Sequence, residues 1–410
     1  MTAPVPTVTS LEILPAYGQS ENRPIRDALA EGIEAAASGQ AVQTFGMRDG
    51  SGALVGMAGA GLAEIDRTRP ATGFLSVTGQ GLVSPAFVFQ FLRAARWRAQ
   101  GEPLRGAILG DNGYGGRLIR EWIPDDPSPI GRNQLYWMEE SARLAGVFGI
   151  AISCPHVLLF QGTSAKDQPG AEYRSQFETA HAALLARAAT LFGTVPQLVV
   201  VVNGADVNSA DDRYDTPGVQ YRIALDHGGI VATWQRAFAI RDQNIHPDAR
   251  TQVLIGETCA WAAEEVEAGN PWNITFAVSR SGAEVTVSFA LRPGETLVER
   301  AGLYDAFGGP ATCPHFGFEA EGGIAQSVLE PEAGRVRLTL ADPAAGWLRL
   351  AHQMQDCGAM TDAAGMTMSA HRSTLFGSHT RPSALIAGET LWRPVPGFRG
   401  RLEGDLFVPE

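Results

Sequence analysis

Two rhythms of apolar and polar positions run along this chain. Up to about Glu265, short apolar runs alternate with longer stretches in which apolar residues recur three and four positions apart. The short runs Leu11–Ala16, Ala41–Gly46, Leu104–Leu109, His156–Phe160 and Gln197–Val202 read as strands, and the last (QLVVVV) is apolar on both faces, as in a strand covered by helices on both sides. Helical spacing runs through Pro24–Ala37, Pro85–Ala99, Asn133–Val147 and Ala171–Phe192. In the second of these Phe87, Phe91, Ala94 and Ala95 share a face, and in the fourth Tyr173, Phe177, Ala180, Leu184, Ala188 and Leu191 do. Gly218–Ile240 reads as helical toward its end, Arg241–Arg250 as a polar loop, and Thr251–Ala262 resumes an apolar pattern. Gly50–Gly61 is glycine-rich but lacks the Lys-Ser or Lys-Thr of a phosphate loop, so it reads as an ordinary loop.

From Asn273 the rhythm shortens to a period of two, in Asn273–Ser279, Glu284–Leu291, Arg335–Leu340 and Gly346–Ala351. Turn signals such as Ser281-Gly282 and Pro293-Gly294 separate these runs. The change predicts two domains: residues 1–265, an α/β domain with a parallel sheet, and residues 266–410, a smaller antiparallel β-sandwich with an irregular carboxyl tail wrapping back.

Composition narrows the partners. At 410 residues with 45% hydrophobic and 19% charged content, the chain can bury a core in each domain. A net charge of −12 without a basic stripe speaks against nucleic acid. No window is long and apolar enough for membrane insertion. The four cysteines (Cys154, Cys259, Cys313, Cys357) are scattered and form no CxxC pair, so neither a zinc site nor a disulfide framework is expected. The opening MTAPVPTVTS lacks a charged leader before an apolar core, so the expectation is cytoplasmic folding without a signal peptide.

Candidate chemistry sits where apolar runs end. Leu11–Ala16 breaks into Tyr17-Gly18-Gln19-Ser20, and a turn at the carboxyl end of a parallel strand is where open α/β sheets place ligands. Gly113–Gly116 precedes Arg117–Trp122, a possible helix start whose N–H groups suit an oxyanion. His156–Phe160 ends in Gln161-Gly162, and His246-Pro247 lies within the polar loop.

In that order and at those separations, the four blocks resemble the SGNH hydrolases, in particular the carbohydrate-esterase branch of sialate O-acetylesterases and acetylxylan esterases. Gly18, Gln19 and Ser20 match the Gly-Gln-Ser turn of that branch. Gly113, Gly115 and Gly116 match its Gly-x-Gly-Gly block, Phe160, Gln161 and Gly162 its Gln-Gly-Glu strand end, and His246 its catalytic histidine. The resemblance spans roughly residues 10–262 and departs at two positions. Gln243 stands where an Asp usually precedes the histidine by three, with Asp242 one step further, and Thr163 stands where the branch has Glu.

The resemblance implies a three-layer, flavodoxin-like SGNH sheet and an O-acetylesterase acting on carbohydrate or polysaccharide, with neither metal nor organic cofactor. Ser20 would be the nucleophile, His246 the base and Asp242 the orienting acid. Gly18, Gln19, Gly115, Gly116, Gln161 and Gly162 would form the oxyanion and substrate-binding surface. The alternative is a weakly active or inactive polysaccharide-binding module on the same scaffold, displayed on a phage-like particle. A homo-oligomer, or particle assembly through the C-terminal domain, is a further expectation under either reading.

Overall fold

Proline interrupts the central strand of the molecule. The computed structural model describes residues 8–22, 44–49, 54–55, 65, 67–68, 70–76, 84–102, 104–108, 113–165, 167–203, 215–238, 246–300, 314–351, 360–361, 367–368 and 373–409. Up to Glu267 the strands are β1 (Ser10–Ile13), β2 (Ala16–Gly18), β3 (Thr44–Asp49), β4 (Leu54–Val55), β5 (Ala71–Ser76), β6 (Arg105–Ile108), β7 (Ala151–Ser153), β8 (His156–Phe160), β9 (Gln197–Val202) and β10 (Ile230–Trp234). The helices are α1 (Pro85–Ala99), α2 (Ile130–Val147), α3 (Gly170–Phe192), α4 (Thr216–Asp226) and α5 (Ala249–Glu267). β1 and β2 are halves of one apolar run parted at Leu14-Pro15, and β7 and β8 are parted at Cys154-Pro155, because proline lacks the N–H that a ladder needs.

β1 pairs in parallel with β6 and β7, β2 with β8, β8 with β9, and β9 with β10. The order is therefore β6, β1/β2, β7/β8, β9, β10, with β3 parallel beside β6 and the antiparallel β4 and β5 beyond it. Successive residues point to opposite faces. Val157, Leu159, Leu198, Val200 and Val202 enter one core with Trp137, Tyr173, Phe177 and Ile223 from α2, α3 and α4. Leu158, Phe160, Val199 and Val201 enter another with Phe89 of α1 and Ile255 and Cys259 of α5.

Pro24–Ala37 lies outside the described residues, as does most of Gly50–Gly61. Two expectations change. Gly218–Ile240 is helical at its start and a strand near its end. α4 stops at Gly228-Gly229, where a Cβ on Gly229 would lie 2.7 Å from the Leu198 carbonyl oxygen, and the β-branched Ile230 and Val231 then pair with β9. Arg117–Trp122 yields only the short 3-10 helix Ile119–Trp122, and α2 begins at Ile130.

Beyond α5 the strands are antiparallel. Phe276–Ser281, Glu284–Phe289, Arg335–Leu340 and Ile324–Glu330 form one sheet in that order, and Phe318–Ala320, Trp347–Leu350, Phe398–Glu403 and Leu406–Pro409 form another. Val285, Val287, Val336 and Leu338 from the first share a core with Phe318, Leu348, Leu350 and Phe398 from the second. A further hairpin, Leu375–Pro382 with Thr390–Pro394, reaches back onto α5. At its tip the Ala384 and Leu385 N–H groups donate to the buried Glu257 carboxylate at 2.7 and 3.1 Å, and Ser383 Oγ donates to the same group. Leu385 and Ile386 pack on the Phe87, Phe91 and Val253 cluster, and Arg381 pairs with Glu264 at 2.6 Å. The carboxyl part thus lies over α1 and α5. Among the described residues no helix is long and apolar enough to cross a membrane.

Candidate active site

Parallel pairing sends the carboxyl end of every strand but the antiparallel β4 and β5 to one edge, and the run β1/β2 is where the chain turns to build the sheet in the other direction. Such a switch point opens a crevice. Ser20 stands there, half-buried, at the start of the 3-10 turn Ser20–Asn22 that follows β2. Asn22 Oδ1 accepts from the Ala86 N–H at 3.2 Å and so fastens this turn to the first turn of α1. Gly18 bridges to Gly113, and the Tyr114 N–H donates to the Gly18 carbonyl at 3.1 Å. The glycine block is thereby laid beside the serine turn. Gly115 and Gly116 are exposed, and Gly116 has a φ of 72°, a conformation glycine adopts without strain.

Gln161 and Gly162 follow β8, the next strand over. The Gln19 side chain ties the two turns together: its Oε1 accepts from the Gly162 N–H at 2.9 Å, and its Nε2 donates to Ser164 Oγ. Gln19 is 2% exposed, so it braces the crevice from behind and does not line it. Gln161 is fully buried; its Nε2 donates to the Arg117 carbonyl at 2.8 Å and its Oε1 accepts from Tyr173 Oη at 3.0 Å. Gly162 has a φ of 144°, and a Cβ there would lie 2.7 Å from Gln220 Nε2 and 2.9 Å from Thr216 Cγ2. Only glycine fits that turn without displacing α4.

Sequence reading missed the residues that close this network. Gln220, buried on α4, donates from Nε2 to Tyr173 Oη at 2.9 Å and to the Gln161 carbonyl, and its Oε1 accepts from the Asn203 N–H at 2.8 Å. Asn203, the residue after β9, meets Thr163 at 2.8 Å between Nδ2 and Oγ1. Its signal was available, since an apolar strand ending in Asn-Gly follows the same logic as the other blocks. Gln220 left none, being an amide within a helical pattern. Every member of the network is neutral, and burial pushes the Tyr173 phenol up, so it donates as a hydroxyl. Thr163 thus belongs to an amide and hydroxyl network and not to a charged one.

His246 is half-buried two residues before Asp248, the N-cap of α5, whose Oδ1 accepts from the Thr251 N–H at 2.8 Å. The far end of α5 marks the opposite edge of the sheet: Glu267 pairs with Arg93 at 2.8 Å and lies 3.8 Å from His156, the first residue of β8. The first turn of α5 therefore lies toward the carboxyl edge, the side of Ser20. Asp242 and Gln243 lie outside the described residues. Among the described residues no group of three or more His, Cys, Asp or Glu side chains is placed to hold a metal ion.

The chain shares its fold with a carbohydrate acetylesterase. That protein, from Xanthomonas citri, superposes with a TM-score of 0.54 at 18% sequence identity, over 91% of this chain and 81% of its own. No protein-family profile matches the chain, and neither does any curated protein. The likeness extends through the antiparallel sheets as well as the parallel one, because it covers nine-tenths of the chain.

Proposed function

We propose that the chain is a serine esterase of the SGNH type, with a three-layer α/β domain, that removes O-acyl groups, acetyl foremost, from carbohydrate. The observation that carries this reading is the Gly18-Gln19-Ser20 turn at the switch point of the parallel sheet, braced on both sides by the glycine block and the Gln161-Gly162 turn. The fold shared with a carbohydrate acetylesterase supports it.

In this reading Ser20 Oγ attacks the acyl carbonyl carbon while His246 takes the hydroxyl proton. The Ser20 N–H and an N–H from Gly115 or Gly116 stabilise the oxyanion, and the intermediate expels the sugar oxygen, to which His246 returns the proton. A water deprotonated by His246 then releases the acid from the acyl-enzyme. Asp242 orients the imidazole. Gln19, Gln161 and Gly162 act one layer back: the Gly162 N–H is held by Gln19, and the Gln161 amide is bonded at both ends within the protein. Their work is to keep Ser20 and the glycine block in register.

The test is hydrolysis of p-nitrophenyl acetate and of acetylated xylan by the whole chain. Ser20→Ala should lower kcat by about 10³-fold or more at unchanged Tm, and His246→Ala comparably. Full retention of turnover in Ser20→Ala overturns the assignment. Polysaccharide binding without acetate release by the parent protein supports the binding-module alternative instead.

A further inference from the structure

Away from the Ser20 crevice, a groove of about 420 Å³ runs between α4 and the two antiparallel sheets. Three phenylalanines floor it. Phe276 and Phe398 stack with ring centroids 4.2 Å apart, and Phe407 meets Phe398 edge-on at 5.5 Å. Tyr221 adds a fourth ring, 6.0 Å from Phe276, and its hydroxyl donates to the Ile274 carbonyl at 3.2 Å. Arg222 from α4 and Arg399 from Phe398–Glu403 also line the groove. Phe276–Ser281 and Leu406–Pro409, which contribute to its walls, are the end strands of their sheets among the described residues, so each offers a row of backbone donors and acceptors on its outer side.

We infer that this groove is a saccharide subsite that takes a carboxylated sugar, such as a uronic acid residue of a polysaccharide. Ring C–H faces suit the phenylalanine floor, hydroxyls suit the backbone of the strand edges, and a planar carboxylate suits the guanidinium fork. The anion preference has a local cause. The chain carries a net charge of −12, yet two arginines converge on this one groove. Burial and the nearby Arg174 pull the Arg222 guanidinium below its usual range, while Asp215 and Asp226 act in the opposite direction.

The groove is also coupled to the crevice through a single helix. Gln220 of α4 holds the turn after β8, while the next two residues, Tyr221 and Arg222, line the groove, and Thr216 crowds Gly162 one turn before Gln220. A polysaccharide chain lying along α4 would place one residue in the groove and another near Ser20. The choice of a saccharide ligand rests on the function proposed above; the groove and its chemistry do not.

The test separates the two. Binding is measured by calorimetry on Ser20→Ala with tetragalacturonate, xylotetraose and tetraglutamate as probes, and turnover on otherwise native protein with p-nitrophenyl acetate and acetylated pectin. Tetragalacturonate should bind at least about tenfold tighter than xylotetraose, and Arg399→Ala and Phe407→Ala should each weaken it about tenfold or more. Both variants should leave p-nitrophenyl acetate hydrolysis per folded molecule unchanged while lowering kcat/KM on acetylated pectin. Equal binding of acidic and neutral sugars, no binding at millimolar concentration, or indifference to both substitutions overturns the inference. Binding of tetraglutamate as tightly as the saccharide overturns it in favour of a peptide groove. Loss of p-nitrophenyl acetate turnover in Ser20→Ala, with any of these outcomes, leaves the esterase reading standing alone.

Discussion

At the amino ends of the parallel strands, the buried Arg93 donates to Glu12 at 2.6 and 3.1 Å, Arg105 reaches Glu12 at 3.4 Å, and Glu267 closes on Arg93 at 2.8 Å. At their carboxyl ends, Gln19, Gln161, Gln220, Asn203, Thr163 and Tyr173 form an equally buried cluster with no formal charge. Burial works against the charge on Arg93, yet Glu12 and Glu267 hold that guanidinium above its usual range. Burial and Arg93 together hold the neighbouring His156 imidazole well below its usual range, so its 3.8 Å approach to Glu267 is not an ion pair. The difference follows from what each end must do. A charged cluster fastens α1 and α5 to the sheet but imposes a field. An amide network fixes the turns to within a hydrogen bond's tolerance and adds no fixed charge to the crevice beside it.

The contrast can be broken at either end. The largest effect is expected at the charged one: Arg93→Met should cost about 3–5 kcal/mol in urea unfolding, because it leaves Glu12 buried with only the more distant Arg105. Glu12→Leu combined with Arg93→Met should restore most of that loss. If the single and double variants are equally unstable, the cluster is held by packing and not by charge pairing.

Acid should expose a second weakness. Burial, with His227 nearby, pulls the His181 imidazole down to about 4, from a usual value of 6.5. The folded protein therefore binds fewer protons than the unfolded chain, and the stability due to neutral His181 is lost as pH falls from about 6.5 toward about 4, to a maximum of about 3 kcal/mol. His156 contributes in the same direction. Urea titrations at descending pH should show a shallower decline in His181→Gln than in the parent; parallel slopes would remove this residue from the account.

At the neutral end, Gln220→Leu should cost about 2 kcal/mol, since it removes the acceptor of the Asn203 N–H and a donor to the Gln161 carbonyl. Its signature is a fall in kcat on p-nitrophenyl acetate of about tenfold among molecules that remain folded, whereas Arg93→Met should leave kcat per folded molecule intact. The smallest effect belongs to the surface pair Arg250 and Glu389: Arg250→Ala should change stability by less than about 1 kcal/mol, read as a small shift in Tm.

How much of this was legible in the chain follows from the range of each interaction. The apolar runs at His156–Phe160 and Gln197–Val202, the helices around Pro85–Ala99 and Ala171–Phe192, and the change of rhythm beyond Glu265 could be read directly, because periodicity is local and records which face is buried. So could the turns after β2 and β8, where Gly18 and Gly162 punctuate apolar strands. The Gly218–Ile240 stretch was misread because α4 and β10 are divided by Gly228-Gly229, and the second glycine is set by its close approach to β9, a partner distant in sequence. Gln220 and Arg93 were invisible for the same reason: an amide or a guanidinium in a helix looks like a solvated face until the fold buries it against Tyr173 or Glu12. Local spacing therefore determined the elements and the order of the candidate blocks. Only tertiary packing decided which polar side chains would lose water and be forced to find one another.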